Sequence, residues 1–168
     1  FEFTEGPLWH PDGYWLFVDL RRNLIHRLRL NGQVDIYRDN TGGANGLTFD
    51  LNQRLLMCEG INRRVTKRDP DGGITVVTDN WESKRLNNPN DIVCRSDGSV
   101  SFTDPPFFLD AHERDIDFSS VFCVPVDGLA IPIVTDLEAP NGLALSPDES
   151  ILYVANSRRD MHVVAYDL

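Results

Sequence analysis

The chain has 168 residues, enough for one ordinary domain with its own core. Its 41% hydrophobic and 25% charged residues are globular composition, neither disordered nor fibrous. A formal net charge of −10 argues against a duplex nucleic-acid partner, which needs a basic face, and no apolar run reaches the ~20 residues of a membrane helix. Taken in chain order, the first unit opens at Glu5 with EGPLW, passes through the turn HPDG and continues in three apolar runs, YWLFVD, IHRLRL and VDIYRD. A second unit opens at Asn45 with NGLTF, turns at DLNQ and runs through RLLMCE, VTKRD and ITVVTD. The third opens at Asn90 with NDIVC, turns at RSDG, and adds SVSFTD, VFCVPV and IPIVTD, with an irregular insert over residues 105–120 that reads as a loop over one face. A fourth opens at Asn141 with NGLAL, turns at SPDE and ends after ILYVAN and HVVAYDL.

The four openings are 40, 45 and 51 residues apart. Four short strands in about 40–50 residues is the period of a propeller blade. Val, Ile, Phe and Tyr cluster in runs of four to six bounded by Gly, Pro, Asp and Asn, and helical periodicity is nearly absent. The expected fold is therefore an all-β propeller. Three complete repeats and a fourth that stops after its third strand do not close a ring. Residues 1–168 are thus expected to be part of a single β-propeller domain, an incomplete fragment of about three and a half four-stranded blades.

Successive inner strands of a propeller line one channel, so residues at the same place in each repeat converge on its axis. Glu5, Asn45, Asn90 and Asn141 form such a column. Four oxygen-bearing side chains in one space are the beginning of a hard-cation site, because Ca²⁺ takes 6–8 oxygen ligands. The alternative is local: Asn-Gly is also a common hairpin turn dipeptide. A second column, Asp19, Glu59, Asp104 and Asn156, closes the second strands, where such residues either cap turns or ring the channel mouth. The doublets Arg21–Arg22, Arg63–Arg64 and Arg158–Arg159 follow those strands and read as solvated hairpin residues. Cys58, Cys94 and Cys123, odd in number and widely spaced, read as small buried hydrophobes. His10 belongs to a turn and His112 to the insert, and no HExxH, GxSxG or P-loop is present.

The segments EGPLWHPDG, NRRVTKRDPDGG, KRLNNPNDIVCRSDGSVSFTDPPF and APNGLALSPDESILYVANS, in this order and spacing, resemble the gluconolactonase branch of the SMP-30/gluconolactonase/LRE-like family. The resemblance covers residues 5–168 and implies a six-bladed propeller with one divalent cation, usually calcium, on its axis. It implies metal ligands at Glu5, Asn90 and Asn141 and a small-molecule lactone such as glucono-1,5-lactone as substrate, with Asn45 as a lining residue only. The family's fourth ligand, an aspartate also proposed as acid/base, is expected beyond Leu168. The family arginine two residues before the NDI asparagine is Asn88 here, and CEHGNRRV is altered to CEGINRRV at Gly60 and Ile61. Asn88, Asn90 and Asp104 are the candidates for substrate contact. A hydrolase of other lactones or phosphotriesters, and a non-catalytic binding propeller, are the competing readings.

Overall fold

The computed structural model describes all of residues 1–168. Four antiparallel sheets follow one another along the chain, each a meander in which sequence neighbours pair. Blade 1 comprises β1 (Thr4–His10), β2 (Tyr14–Asp19), β3 (Leu24–Arg29) and β4 (Val34–Arg38). Blade 2 comprises β5 (Ala44–Phe49), β6 (Leu55–Glu59), β7 (Arg64–Arg68) and β8 (Ile74–Thr78). A two-stranded hairpin, β9 (Asn80–Trp81) and β10 (Lys84–Arg85), leads to blade 3: β11 (Ile92–Cys94), β12 (Val100–Asp104), β13 (Ser120–Val124) and β14 (Ile131–Val134). Blade 4 has three strands, β15 (Pro140–Leu145), β16 (Ile151–Asn156) and β17 (His162–Asp167). The fold is that of a β-propeller.

The core lies between blades. Leu55 and Met57 pack with Leu16, Val18 and Ile25 of blade 1, while Leu56 and Cys58 pack with Ile92, Phe102 and Phe122 of blade 3. Alternate residues of β6 thus enter two different cores, as the two-residue period of a strand requires. This explains why LLMCE is apolar without alternation: both faces are buried. A third cluster joins Val121 and Val134 of blade 3 to Leu152 and Val154 of blade 4.

The turns after the first strands share one geometry. The fourth residue of each donates its N–H to the carbonyl of the first: Gly13 to His10, Gln53 to Asp50, Gly98 to Arg95 and Glu149 to Ser146. All four have positive φ, which glycine adopts freely and Gln53 and Glu149 adopt under constraint. Glu149 is held there by its carboxylate, which accepts from the Ser96 N–H and hydroxyl of blade 3. His10 is structural as expected, its Nδ1 accepting from the Asp12 N–H at 3.1 Å.

Two expectations need correction. Only Cys58 is fully buried, while Cys94 and Cys123 are half-buried. Arg63 is not a solvated hairpin residue: it is 7% exposed, and its guanidinium donates to the carbonyls of Leu86, Glu113 and Arg85. It thereby ties the hairpin exit and the 105–120 insert to blade 2. Its neighbour Arg64 pairs with the buried carboxylate of Glu59 at 2.8 Å.

Candidate metal centre and axial cavity

Each inner strand begins irregularly at the residue of interest. The pairing of β1 with β2 slips between Glu5 and Leu8, that of β5 with β6 between Ala44 and Leu47, and that of β15 with β16 between Pro140 and Leu143. Two residues on the inner strand then face one on its neighbour, which re-aims a side chain. Blade 3 does the same with Asn90 and Asp91 against Thr103: the Asn90 N–H donates to the Thr103 carbonyl, and the Thr103 N–H to the Asp91 carbonyl.

The column residues share one space. Glu5, Asn45, Asn90 and Asn141 together line a cavity of about 220 Å³, walled above by Phe3, Leu20, Phe107 and Phe108. The same four border a second cavity of about 380 Å³ on the other side, lined by Asp91, Leu47, Ile92 and Leu143. The ring of four therefore stands between two spaces along the channel. Asn45 and Asn90 are 9% and 6% exposed, yet the protein supplies no hydrogen bond to either side chain. Asn141 donates from Nδ2 to Ser157 Oγ at 3.3 Å, which leaves its Oδ1 free.

Backbones hold the ring together across blades. The Gly46 N–H donates to the Asn90 carbonyl at 2.6 Å, and Thr103 Oγ donates to the Asn141 carbonyl at 2.8 Å while accepting from the Asp91 N–H. Glycine is required where these strands touch: a Cβ on Gly6 would lie 2.1 Å from the Asn45 carbonyl oxygen, and one on Gly46 2.5 Å from the Asp91 Cα. In blade 3 the corresponding residue is Asp91, whose Oδ2 reaches across to accept the Leu143 N–H at 3.1 Å. Burial raises the Asp91 carboxyl above its ordinary range, with the Leu143 and Ile92 N–H groups opposing. Burial also raises Glu5, and the Asp91 charge adds to that rise.

The second column does something else. Asp19 accepts from the N–H groups of Glu2 and Phe3, Asp104 from Asn87 at 2.8 Å, and Asn156 from Ala139 at 2.8 Å. Each thus clamps the segment that enters its own blade, two or three residues before the column residue. In blade 2, Glu59 instead takes Thr66, Asn62 and Arg64. Asp104, a sequence candidate for substrate contact, is fully buried and lines neither cavity. Burial pushes its carboxyl up to about 7, against the pull of the Asn87 and Asn88 N–H groups and the Arg63 charge. Asn88 also lies outside both cavities, with its Nδ2 on the Gly60 carbonyl at 3.3 Å. The column thus neither lines the two cavities nor simply caps the turns that follow it: three of its members tie down the incoming segment, whereas the cavity gathers Glu5, Asn45, Asn90 and Asn141.

Residues 3–168 match the model of the SMP-30/gluconolactonase/LRE-like region. The chain belongs to that family. Among its relatives, a gluconolactonase of Zymomonas mobilis is 33% identical over 94% of this chain and 50% of its own length. A pentonolactonase of Haloferax volcanii is 27% identical over 97% of this chain and 53% of its own. The solved structure of a gluconolactonase from Xanthomonas campestris superposes with a TM-score of 0.91 at 33% identity, covering 99% of this chain and 58% of that one. The chain spans about half the length of the curated relatives it matches. Within this member of the family, sequence reasoning missed two residues at the site. Asp91 was hidden in the NDI motif behind its asparagine, and Arg158 in a basic doublet.

Proposed function

We propose that this protein opens sugar lactones such as glucono-1,5-lactone with the help of one divalent cation, calcium, held by Glu5, Asn90 and Asn141. The observation that carries the reading is the shared axial cavity, into which successive blades bring one carboxylate and three amides, with Glu5, Asn45 and Asn90 making no side-chain hydrogen bond to the protein. Its relatives' names, gluconolactonase and pentonolactonase, supply the substrate class.

The donors fit a hard cation: carboxylate and amide carbonyl oxygens are what Ca²⁺ takes. Burial and the Asp91 charge disfavour ionised Glu5, and a bound cation would offset both. When bound, the ion would polarise the lactone carbonyl oxygen as a Lewis acid. Glu5 supplies the formal negative charge of the ring, and Asn141 presents Oδ1 because Ser157 holds its Nδ2. Phe3, Leu20 and Phe107 form the apolar wall of the cavity beside the polar ring. Asp91, the other carboxylate beside the ring, is engaged through Oδ2 with the Leu143 N–H.

The test is hydrolysis of glucono-1,5-lactone by the intact protein during calcium titration, with a chelated control. Chelation should abolish activity and calcium should restore it. Glu5→Gln and Asn141→Ala should each weaken calcium binding by about tenfold or more, with activity partly recovered at high calcium by mass action. Full activity in the chelated protein would remove the metal from the mechanism.

A further inference from the structure

Most arginines elsewhere in the chain find a hydrogen-bond or ion-pair partner, and only Arg21 and Arg22 share with Arg158 the lack of one. Arg27 and Arg29 share Asp35, Arg54 takes Asp50, Arg95 takes Glu149, and Arg159 takes Glu138 at 3.2 Å. Arg158, next to Arg159, makes no ion pair and no side-chain hydrogen bond, although the chain carries 26 acids. It lines the axial cavity with Glu5, Asn90 and Asn141. Its guanidinium lies 5.1 Å from the centre of the Phe107 ring, which lines the same cavity.

The root of Arg158 is fixed. Asn156, 7% exposed, donates from Nδ2 to the Arg158 carbonyl at 3.0 Å while its Oδ1 takes the Ala139 N–H. Ser157, between them, accepts from the Asn141 amide. One buried asparagine therefore positions both a ring residue and the arginine above it. A guanidinium stacked on an aromatic face keeps its planar fork of N–H donors free, and that fork matches carboxylate and phosphate oxygens two at a time.

We propose that Arg158, backed by Phe107, is a specificity-determining residue that receives an anionic substituent, carboxylate or phosphate, on the lactone bound at the Glu5/Asn90/Asn141 ring. The assignment rests on the lactone reading above. It predicts that the protein prefers acidic sugar lactones over the neutral one.

The experiment compares kcat/KM of the intact protein for glucono-1,5-lactone, for its 6-phosphate ester and for a glucaric acid lactone. Arg158→Ala should lower the anionic-to-neutral ratio by roughly tenfold or more, chiefly through KM, and Arg158→Lys should recover part of it, because the charge remains and the fork is lost. The phosphate and carboxylate arms show which anion fits. Arg21→Ala is the control: Arg21 stacks on Phe3 at 5.9 Å but lies outside the cavity lining, and its loss should leave the ratio unchanged. Calorimetric binding of 6-phosphogluconate and glucarate, with and without Arg158, separates this inference from the lactonase reading. If no lactone is opened but binding still depends on Arg158, the anion site stands and the lactonase reading falls. If Arg158→Ala leaves both the ratio and the binding unchanged, or if Arg21→Ala matches its effect, the inference is overturned.

Discussion

Asp19, Asp104 and Asn156 carry the same side-chain chemistry as Glu5, Asn90 and Asn141, recur with the same period, and differ in how their oxygens are used. The former accept backbone N–H groups of the segment entering their own blade. Of the latter, Glu5 and Asn90 receive no side-chain hydrogen bond from the protein, and Asn141 engages only its amide nitrogen. Burial alone does not separate the two columns, since Asn90 is 6% exposed and Asn156 7%. Bonding does. In the clamp column at least one oxygen of each residue is bonded to the incoming backbone, although Asp104 Oδ1 stays unpartnered away from both cavities. The open oxygens of the axial column instead border a space that could hold a ligand.

The comparison breaks first at Asn156. Asn156→Ala strands the Ala139 N–H and the Arg158 carbonyl, and we predict a loss of about 3 kcal/mol in urea denaturation. Asn156→Asp keeps the acceptor, as Asp19 and Asp104 do, and should cost clearly less. Equal losses would mean that the acceptor contributes nothing.

A second contrast tests the contacts between blades. Gly46→Ala should cost about 2 kcal/mol, because its Cβ meets backbone at 2.5 Å and 2.7 Å. Gly142→Ala, whose nearest neighbour is the Asp91 carboxylate at 3.8 Å, should be close to neutral in the same denaturation assay, despite the identical NGL motif.

The third prediction concerns pH. Folding raises the Asp104 carboxyl to about 7 from an ordinary unfolded value near 4, so the folded state binds the proton more tightly between those values. Its contribution is full below about pH 4 and is lost as pH rises through about 7. Asp104→Asn copies the residue of blade 4 and does not titrate. The variant should gain on the order of 2–3 kcal/mol over the wild type between pH 5 and pH 8. Parallel stability curves for the two proteins would refute the assignment.

The smallest effect lies within the cavity column. Asn45→Ala and Asn141→Ala should each change stability by less than about 0.5 kcal/mol, for want of strong protein partners. Calcium titration should then separate them, with Asn45→Ala near wild type and Asn141→Ala weakened. A matching loss at Asn45 would extend the ligand set to blade 2.

The strands and the column were legible because propeller repeats write their register into local motifs: turns at HPDG, DLNQ, RSDG and SPDE place the openings at Glu5, Asn45, Asn90 and Asn141. The β9–β10 hairpin was not, since its residues, NWESKR, carry no alternation of apolar and polar positions. Arg63 looked like surface because its partners are main-chain carbonyls more than 20 residues away, and no sequence pattern marks a carbonyl. Asp91 carries no signal of its own in the NDI opening until the blade beside it supplies the Leu143 N–H. The clamps were seen as a column, but their targets depend on where the incoming segment runs.

In blades 1, 3 and 4 the clamp and the residue it steadies belong to the same repeat, so a copied blade carries both a site residue and the means to aim it. A repeat unit of this kind keeps its clamp and its axial residue together in one stretch of sequence, with the neighbouring blades adding the backbone contacts of the ring. Later substitutions can then trade Glu for Asn at the tip, as Glu5 and Asn90 differ, without rebuilding the support. Blade 2 departs from this economy: Asn23 of blade 1 holds Thr41 and the Gly43 N–H on its behalf. Copied alone, blade 2 would leave that support behind, which makes it the least portable of the four.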